Sequence, residues 1–463
     1  MRTVWSLVVL AATASAALPA RAVERVDLVI RGGTVVTMDP ARNVHAPGAI
    51  AIRGEQILAV GPEADITADY EGAKTIDARG GLIVPGLINA HNHAAMSLFR
   101  GLADDLALME WLQKYIFPAE AKLVDEEFVR AGTKLACLEM LLGGTTTYVD
   151  MYYFEDAVAQ ETAAAGMRGV LGQSLIDFPA PDFKTWDAAY SGCEAFVAKW
   201  KSHALITPAV SPHAPYTVSP EHLQAAKALA DKHGVPLVMH VAETAAEVKT
   251  IEERYHTTPV VHLDRLGVLG RNVIANHMVH PTSDELLLLK KHGVGVAHCP
   301  QSNMKLASGI APVPKMLELG LAVGLGTDGP ASNNDLNLWE EIDTAAKLHK
   351  VASGDPTAVS AREAFAMATI EGARAIHREE TIGSLEVGKL ADVAVVAIDA
   401  PHVTPLYDVY SHLVYAVKAG DVRSVVIHGK TVVEDRRVLT LDDDAILAKA
   451  REYREKITAT LGK

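Results

Sequence analysis

Only three cysteines, Cys137, Cys193 and Cys299, occur in 463 residues. Three thiols make no disulfide framework, and none of them falls in a C-x-x-C zinc motif. Each reads as a small apolar residue that fills space. Basic clusters are equally scarce. Lys290-Lys291 is only a pair, set between Leu289 and His292, and the formal net charge is −14, which argues against a surface for nucleic acid or an anionic membrane. No second long apolar span follows the N-terminal one, so the mature chain is expected to be soluble. Internal repeats and low-complexity tracts are absent too.

What is present points elsewhere. A chain this long, 49% hydrophobic, can bury a large core and exceeds one small domain. Arg2 precedes an apolar segment, Val4 to Leu18, with small-x-small sites at Ala14-Ser15-Ala16 and Ala20-Arg21-Ala22. That is the build of a secretory signal peptide. A membrane anchor needs roughly 20 apolar residues, and this run is shorter. No cysteine lies nearby for lipidation, and no Arg-Arg pair marks a twin-arginine route. Residues 1–22 are therefore expected to be cleaved near Ala17 or Val23, giving an exported protein, periplasmic or secreted.

Short β-type runs follow at Val26–Ile30, Gly33–Thr37, Ala49–Ile52 and Gln56–Val60, separated by glycine and charged turns. Similar runs return at Ala391–Ile398, Val422–His428 and Thr431–Val433. Two strand-rich ends around a long α/β middle suggest one composite β-sandwich, built from residues 23–82 and 383–440. A surface helix is expected over 441–463. Across residues 83–382 apolar runs alternate with amphipathic helical stretches, which predicts a (β/α)8 barrel. Its strands are expected at Leu82–Ile88, Thr145–Asp150, Gly169–Leu175, Leu205–Val210, Pro236–His240, Val273–Asn276, Val294–His298 and Ala322–Gly326.

The first of these runs leads into His91 and His93 within PGLINAHNH. Side chains two apart on a strand share a face, so both imidazoles can reach one metal ion. The fifth run ends at His240, with Glu243 just beyond; the sixth leads to His277, and the eighth to Asp328. His91, His93, His240 and Asp328 together offer three nitrogens and one carboxylate, with room for water, a set suited to catalytic zinc or ferrous iron. Any one of them alone reads equally well as a hydrogen-bonded structural residue. Their recurrence at the strand ends where barrels carry their chemistry is what argues for a metal. Gly324-Leu325-Gly326-Thr327-Asp328-Gly329 matches G-x-G-x-x-G by spacing alone. A dinucleotide fold would need an opening helix there, whereas Pro330 follows at once and Asp328 would face the pyrophosphate.

The segments PGLINAHNH, SPHAPY, HVAET, ANHMVH, HCPQSNMKLASG and GTDGPASNN, in that order, resemble the amidohydrolase superfamily. Within it the chain is most similar to the 5′-methylthioadenosine/S-adenosylhomocysteine deaminases, from the first β module to about residue 435. The resemblance implies one divalent metal per subunit, zinc or iron, on His91, His93, His240 and Asp328. Binuclear relatives need a bridging Lys or Glu at the fourth strand end, and Ser211-Pro212-His213 offers neither. His277 is read as holding the attacking water, with a second-metal role as the alternative.

The implied reaction is hydrolytic deamination of an adenosine-type nucleoside, with Glu243, His277 and Asp328 as catalytic residues: Glu243 protonates a ring nitrogen, and Asp328 carries the water's proton to the leaving ammonia. The zinc deaminases built on H-x-E and P-C-x-x-C are a different design; Cys299-Pro300 reverses that order and Cys299 has no partner cysteine. The resemblance further implies substrate contacts from His213 to the purine, Glu120 to the ribose hydroxyls, Trp111 near the 5′ substituent, and Arg168 and Glu243 at the pocket. The plain alternatives are a strand-end histidine, a helix-surface charge, a core tryptophan and a solvated arginine. Residues 178–184 hold no Arg, and Lys184 is a poor stand-in for a bidentate contact to a homocysteine carboxylate. Competing readings are a hydrolase of another heterocycle (an s-triazine, guanine or a pterin) or a non-catalytic barrel scaffold. Related enzymes often self-associate; nothing in the chain fixes a number of subunits.

Overall fold

A computed structural model describes Trp5 and residues 23–461. Apart from Trp5, the expected leader lies outside the described residues. Eight parallel strands form the barrel: Leu87–Asn92, Thr145–Tyr152, Arg168–Leu175, Ile206–Pro212, Leu237–Val241, Val273–His277, Gly295–His298 and Val323–Leu325, each hydrogen-bonded to the next. They are near-continuous apolar runs because helices cover the outside, so both faces are buried. One apolar cluster draws Ile88, Ala90, Val149, Val170, Ala209, Val238, Ile274 and Ala297 from seven of the eight strands. Strands on opposite walls meet in this way only across the barrel axis.

The seam between the first and last strands is closed at the end where both strands finish. The Asp328 N–H donates to the His91 carbonyl at 3.0 Å, so two of the expected ligands are joined through the backbone.

Helix ends follow local chemistry. Thr282 and Glu285 form a reciprocal cap on Ser283–His292, which stops at Gly293 in the left-handed conformation; Ser360 and Glu363 do the same for Ala361–Met367. No described helix is long and apolar enough to cross a membrane.

The two termini combine in one nine-stranded mixed sheet. Its long first strand, Glu24–Val36, pairs with Val44–Arg53 on one edge and with Tyr70–Asp77 and then Leu82–Pro85 on the other. Leu82–Pro85 in turn runs antiparallel to Val393–Val396, which stitches the C-terminal strands on.

That pairing corrects the first expected barrel strand. Leu82–Ile88 is not continuous: residues 82–85 belong to the terminal sheet, and the barrel strand starts at Leu87. Pro85 lacks an N–H, and Gly86 passes so close to Thr146 that a Cβ there would lie 2.2 Å from its side chain. The chain changes sheets at that glycine. The closing helix, Asp443–Leu461, buries Ile446, Tyr453 and Ile457, with Tyr453 edge-on to Phe128 at 5.5 Å.

Candidate active site

Four strand ends converge. His91 lies in the first strand and His93 one residue past it, capping the short turn Ala94–Phe99. His240 lies one residue before the end of the fifth strand, with Glu243 just past it; His277 ends the sixth, and Asp328 follows the eighth. Three of these ends leave the barrel through non-glycine residues with positive φ: Ala242 (51°), His277 (69°) and Asp328 (61°). Such backbone is costly and persists where surrounding contacts fix it. The glycines of the eighth strand end have a packing reason. A Cβ at Gly326 would lie 2.8 Å from the His91 backbone nitrogen, and one at Gly329 3.0 Å from the His93 Cβ. They make room for the two histidines.

The ring nitrogens have assignable roles. His93 Nδ1 lies 2.7 Å from the Met151 carbonyl, and His240 Nδ1 lies 2.9 Å from the His213 carbonyl. A carbonyl only accepts, so both Nδ1 atoms carry the proton and, in the neutral rings, both Nε2 atoms present lone pairs. Those Nε2 atoms are 3.3 Å apart. Asp328 Oδ1 faces them, 3.2 Å from His93 Nε2 and 3.3 Å from His91 Nε2, and neither nitrogen of the buried His91 has a hydrogen-bond partner. With those nitrogens unprotonated, their lone pairs and the Asp328 carboxylate converge on one point and fit a bound cation, and carbonyl-oriented histidines are the usual support of such a site.

Asp328 is held from behind. Its Oδ2 accepts the Ser302 and Ser332 hydroxyls at 2.6 and 2.7 Å, and its Oδ1 accepts the Gly329 N–H at 2.8 Å. Burial acts to raise this carboxyl, but the imidazoles of His91 and His93 beside it outweigh that and keep the group well below the usual carboxylate range. Glu243 behaves oppositely. Burial, reinforced by Asp328, pushes it up to about 8. Its backbone is fixed by Glu247, whose carboxylate accepts the N–H groups of Ala242 (2.9 Å) and Glu243 (2.8 Å). His277 Nε2 lies 3.9 Å from Glu243 Oε2, and its Nδ1 meets Asn303 Oδ1 at 3.0 Å. Burial lowers His277, so the ring is neutral with Nε2 free to accept.

These groups open on one cavity. His93, His240, Glu243, His277 and Asp328 line one end, with His213 beside them; Trp111 and Glu120 line the wall formed by the excursion after the first strand. His91 sits beneath. Glu120 is buried and accepts the Tyr152 hydroxyl at 2.7 Å.

One expected site residue is elsewhere. Arg168 opens the third strand, at the end of the barrel away from the cavity. Its guanidinium forms a two-point ion pair with Asp392, at 2.9 and 3.2 Å. At 2% exposed it joins barrel to terminal sheet and touches no substrate position. Lys184 is likewise occupied, donating to the carbonyls of Ala180 and Pro181 in its own loop.

Sequence reasoning passed over Tyr152, Glu247, Ser302, Ser332 and Asn303. A Tyr-Tyr pair right after Asp150-Met151, and Thr244-Ala245-Ala246-Glu247 at a helix start, were signals available to find two of them.

The sequence model of the amidohydrolase family matches residues 82–432. A 5-methylthioadenosine/S-adenosylhomocysteine deaminase from Syntrophobacter fumaroxidans is 52% identical over 427 residues, 92% of this chain and 97% of the relative. A 5′-deoxyadenosine deaminase from Methanosarcina acetivorans is 45% identical over 435 residues, 94% of this chain and 99% of the relative. The crystal structure of an adenosine deaminase from Xanthomonas campestris with bound zinc superimposes with a TM-score of 0.93 at 40% identity, covering 95% of this chain and all of that one.

Proposed function

The chain belongs to the amidohydrolase family, and on that premise we propose that it is a hydrolytic deaminase of adenosine-type purine nucleosides, holding one divalent metal ion on His91, His93, His240 and Asp328. The ion, when bound, lowers the pKa of a water molecule toward neutrality and so supplies a nucleophile. Zinc is the proposed occupant, with ferrous iron the alternative that the same nitrogen and oxygen donors accept.

The side chains do the rest. Glu243, protonated up to about pH 8, gives its proton to a ring nitrogen and makes the adjacent amine-bearing carbon electrophilic. His277 accepts a hydrogen bond from the attacking water through Nε2 and sets its line of approach. Asp328 takes the water's first proton, and the Ser302 and Ser332 hydroxyls behind it keep the carboxyl in place. That proton leaves with the amine as ammonia. The water's second proton restores Glu243 as the carbonyl forms, and the inosine-type product retains the proton on its ring nitrogen.

His213 meets the purine, Glu120 the ribose hydroxyls and Trp111 the 5′ substituent. Met96, Leu108, Ile116 and Phe117 add apolar lining, and no Lys or Arg lines this cavity among the described residues. We therefore propose 5′-methylthioadenosine, 5′-deoxyadenosine and adenosine as substrates ahead of S-adenosylhomocysteine, whose carboxylate would find no cation. A separate proposal is export, resting on Arg2 and the apolar segment with its small-x-small sites; sequencing the N-terminus of protein from the secreted fraction tests it, and an intact Met1 refutes it.

The observation that carries the reading is one cavity holding both a carboxyl kept protonated and a cluster of bare metal-binding atoms. The experiment is a panel of purine nucleosides followed by the ultraviolet change on deamination, with bound metal quantified on the same sample. The expected result is turnover with about one metal per chain. Turnover of an s-triazine, guanine or a pterin alone would overturn it.

A further inference from the structure

Resting on the nucleoside reading above, we propose that Tyr152 positions Glu120 for the ribose diol and thereby sets the preference for intact ribosides. Glu120 is on the helix Phe117–Leu123, in the excursion between the first two strands, which also contains the π-turn Leu112–Ile116. That excursion is not part of the barrel, so its carboxylate needs an anchor to hold a fixed distance from the reacting end. Tyr152 supplies one. It closes the second barrel strand, its ring centroid lies 6.3 Å from that of His93, and its hydroxyl donates to Glu120 Oε1 at 2.7 Å. One side chain thus spans from the metal-binding cluster to the ribose carboxylate.

The lone-pair count supports the assignment. A carboxylate offers about four acceptor positions. Tyr152 takes one, which leaves enough for the two hydroxyls of a vicinal diol. Burial pushes Glu120 up to about 7, and the Tyr152 hydroxyl opposes that rise and favours the ionised form that accepts from both ribose hydroxyls. The Tyr152 hydroxyl is spent on Glu120, so Tyr152 acts through it and not on the substrate.

The test compares Tyr152→Phe, Glu120→Gln and the double variant on adenosine and on 2′,3′-dideoxyadenosine, which lacks both hydroxyls. With adenosine, Tyr152→Phe is expected to raise KM roughly 10-fold, the scale of one hydrogen bond to a charged group, with kcat changed much less. With the dideoxy substrate KM stays within about 2-fold of the parent, which also shows that the variant is folded. The double variant is expected to be no worse than Glu120→Gln alone. Equal losses on the two substrates, or additive losses in the double variant, overturn the positioning role. Unsubstituted protein that loads metal but releases no ammonia from either nucleoside overturns the nucleoside reading itself, and does so before any variant is made.

Discussion

Asn89 and Thr327 hydrogen-bond twice across the barrel seam: the Asn89 amide donates to Thr327 Oγ1 at 2.8 Å, and the Thr327 N–H donates to Asn89 Oδ1 at 3.1 Å. One partner lies two residues before His91 and the other precedes Asp328. The pair therefore fixes the spacing between the first and last groups of the metal-binding cluster. Asn89→Leu removes both bonds and leaves buried polar groups unpaired, a cost of about 1–3 kcal/mol each. Metal affinity, measured by competition with a chromophoric chelator, is expected to fall roughly 10- to 100-fold, as for other supports of metal ligands. Unchanged affinity would show that the seam does not set the site.

The protonation state of Glu243 gives a pH prediction with a definite sign. Burial, then Asp328, raises its carboxyl to about 8, so the acid form is present below that value and is lost as pH rises through it. The rate is expected to decline above about pH 8. Glu243→Gln should remove roughly 10²- to 10⁴-fold of kcat with metal content unchanged. A variant retaining most of its activity would remove Glu243 from the mechanism.

At the other end of the cavity, burial raises Glu120 to about 7. Its carboxylate form, the one that accepts from both ribose hydroxyls, therefore falls away as pH drops through about 7. KM for adenosine is expected to rise below that pH, while KM for 2′,3′-dideoxyadenosine stays flat. Parallel profiles for the two substrates would place the titration elsewhere.

Arg168 provides the opposite kind of test. Its ion pair with Asp392 is buried on both sides, and Asp392 also accepts the His428 N–H at 2.8 Å. Arg168→Ala leaves that carboxylate uncompensated, at a cost of about 3–5 kcal/mol, read as a lower denaturation midpoint. KM per folded molecule is expected to stay the same. A raised KM without destabilisation would return Arg168 to the substrate pocket.

Much of this molecule was legible beforehand, and the exceptions have physical causes. The strands Thr145–Tyr152, Arg168–Leu175 and Val273–His277 fall within two residues of their expected positions because buried parallel strands are written as unbroken apolar runs. That the histidines and Asp328 would cluster was legible because barrels place polar groups at strand ends. Arg168 was misplaced because a residue at the head of a strand and one at its foot look alike in sequence, and its partner, Asp392, is 224 residues away. Leu82–Ile88 was read as one strand because both sheets favour the same apolar residues, and only the contact of Gly86 with Thr146 divides them. Tyr152, Ser302 and Ser332 went unassigned because their roles depend on distances to Glu120 and Asp328 that no spacing encodes.

The most direct measurement titrates metal into chelator-stripped protein while ammonia release from 5′-methylthioadenosine is followed. The rate is expected to climb linearly and level off at one equivalent per chain, and His240→Ala should not respond at stoichiometric metal. Full turnover by the stripped protein, or a plateau only at two equivalents, would contradict a single cation gripped by His91, His93, His240 and Asp328.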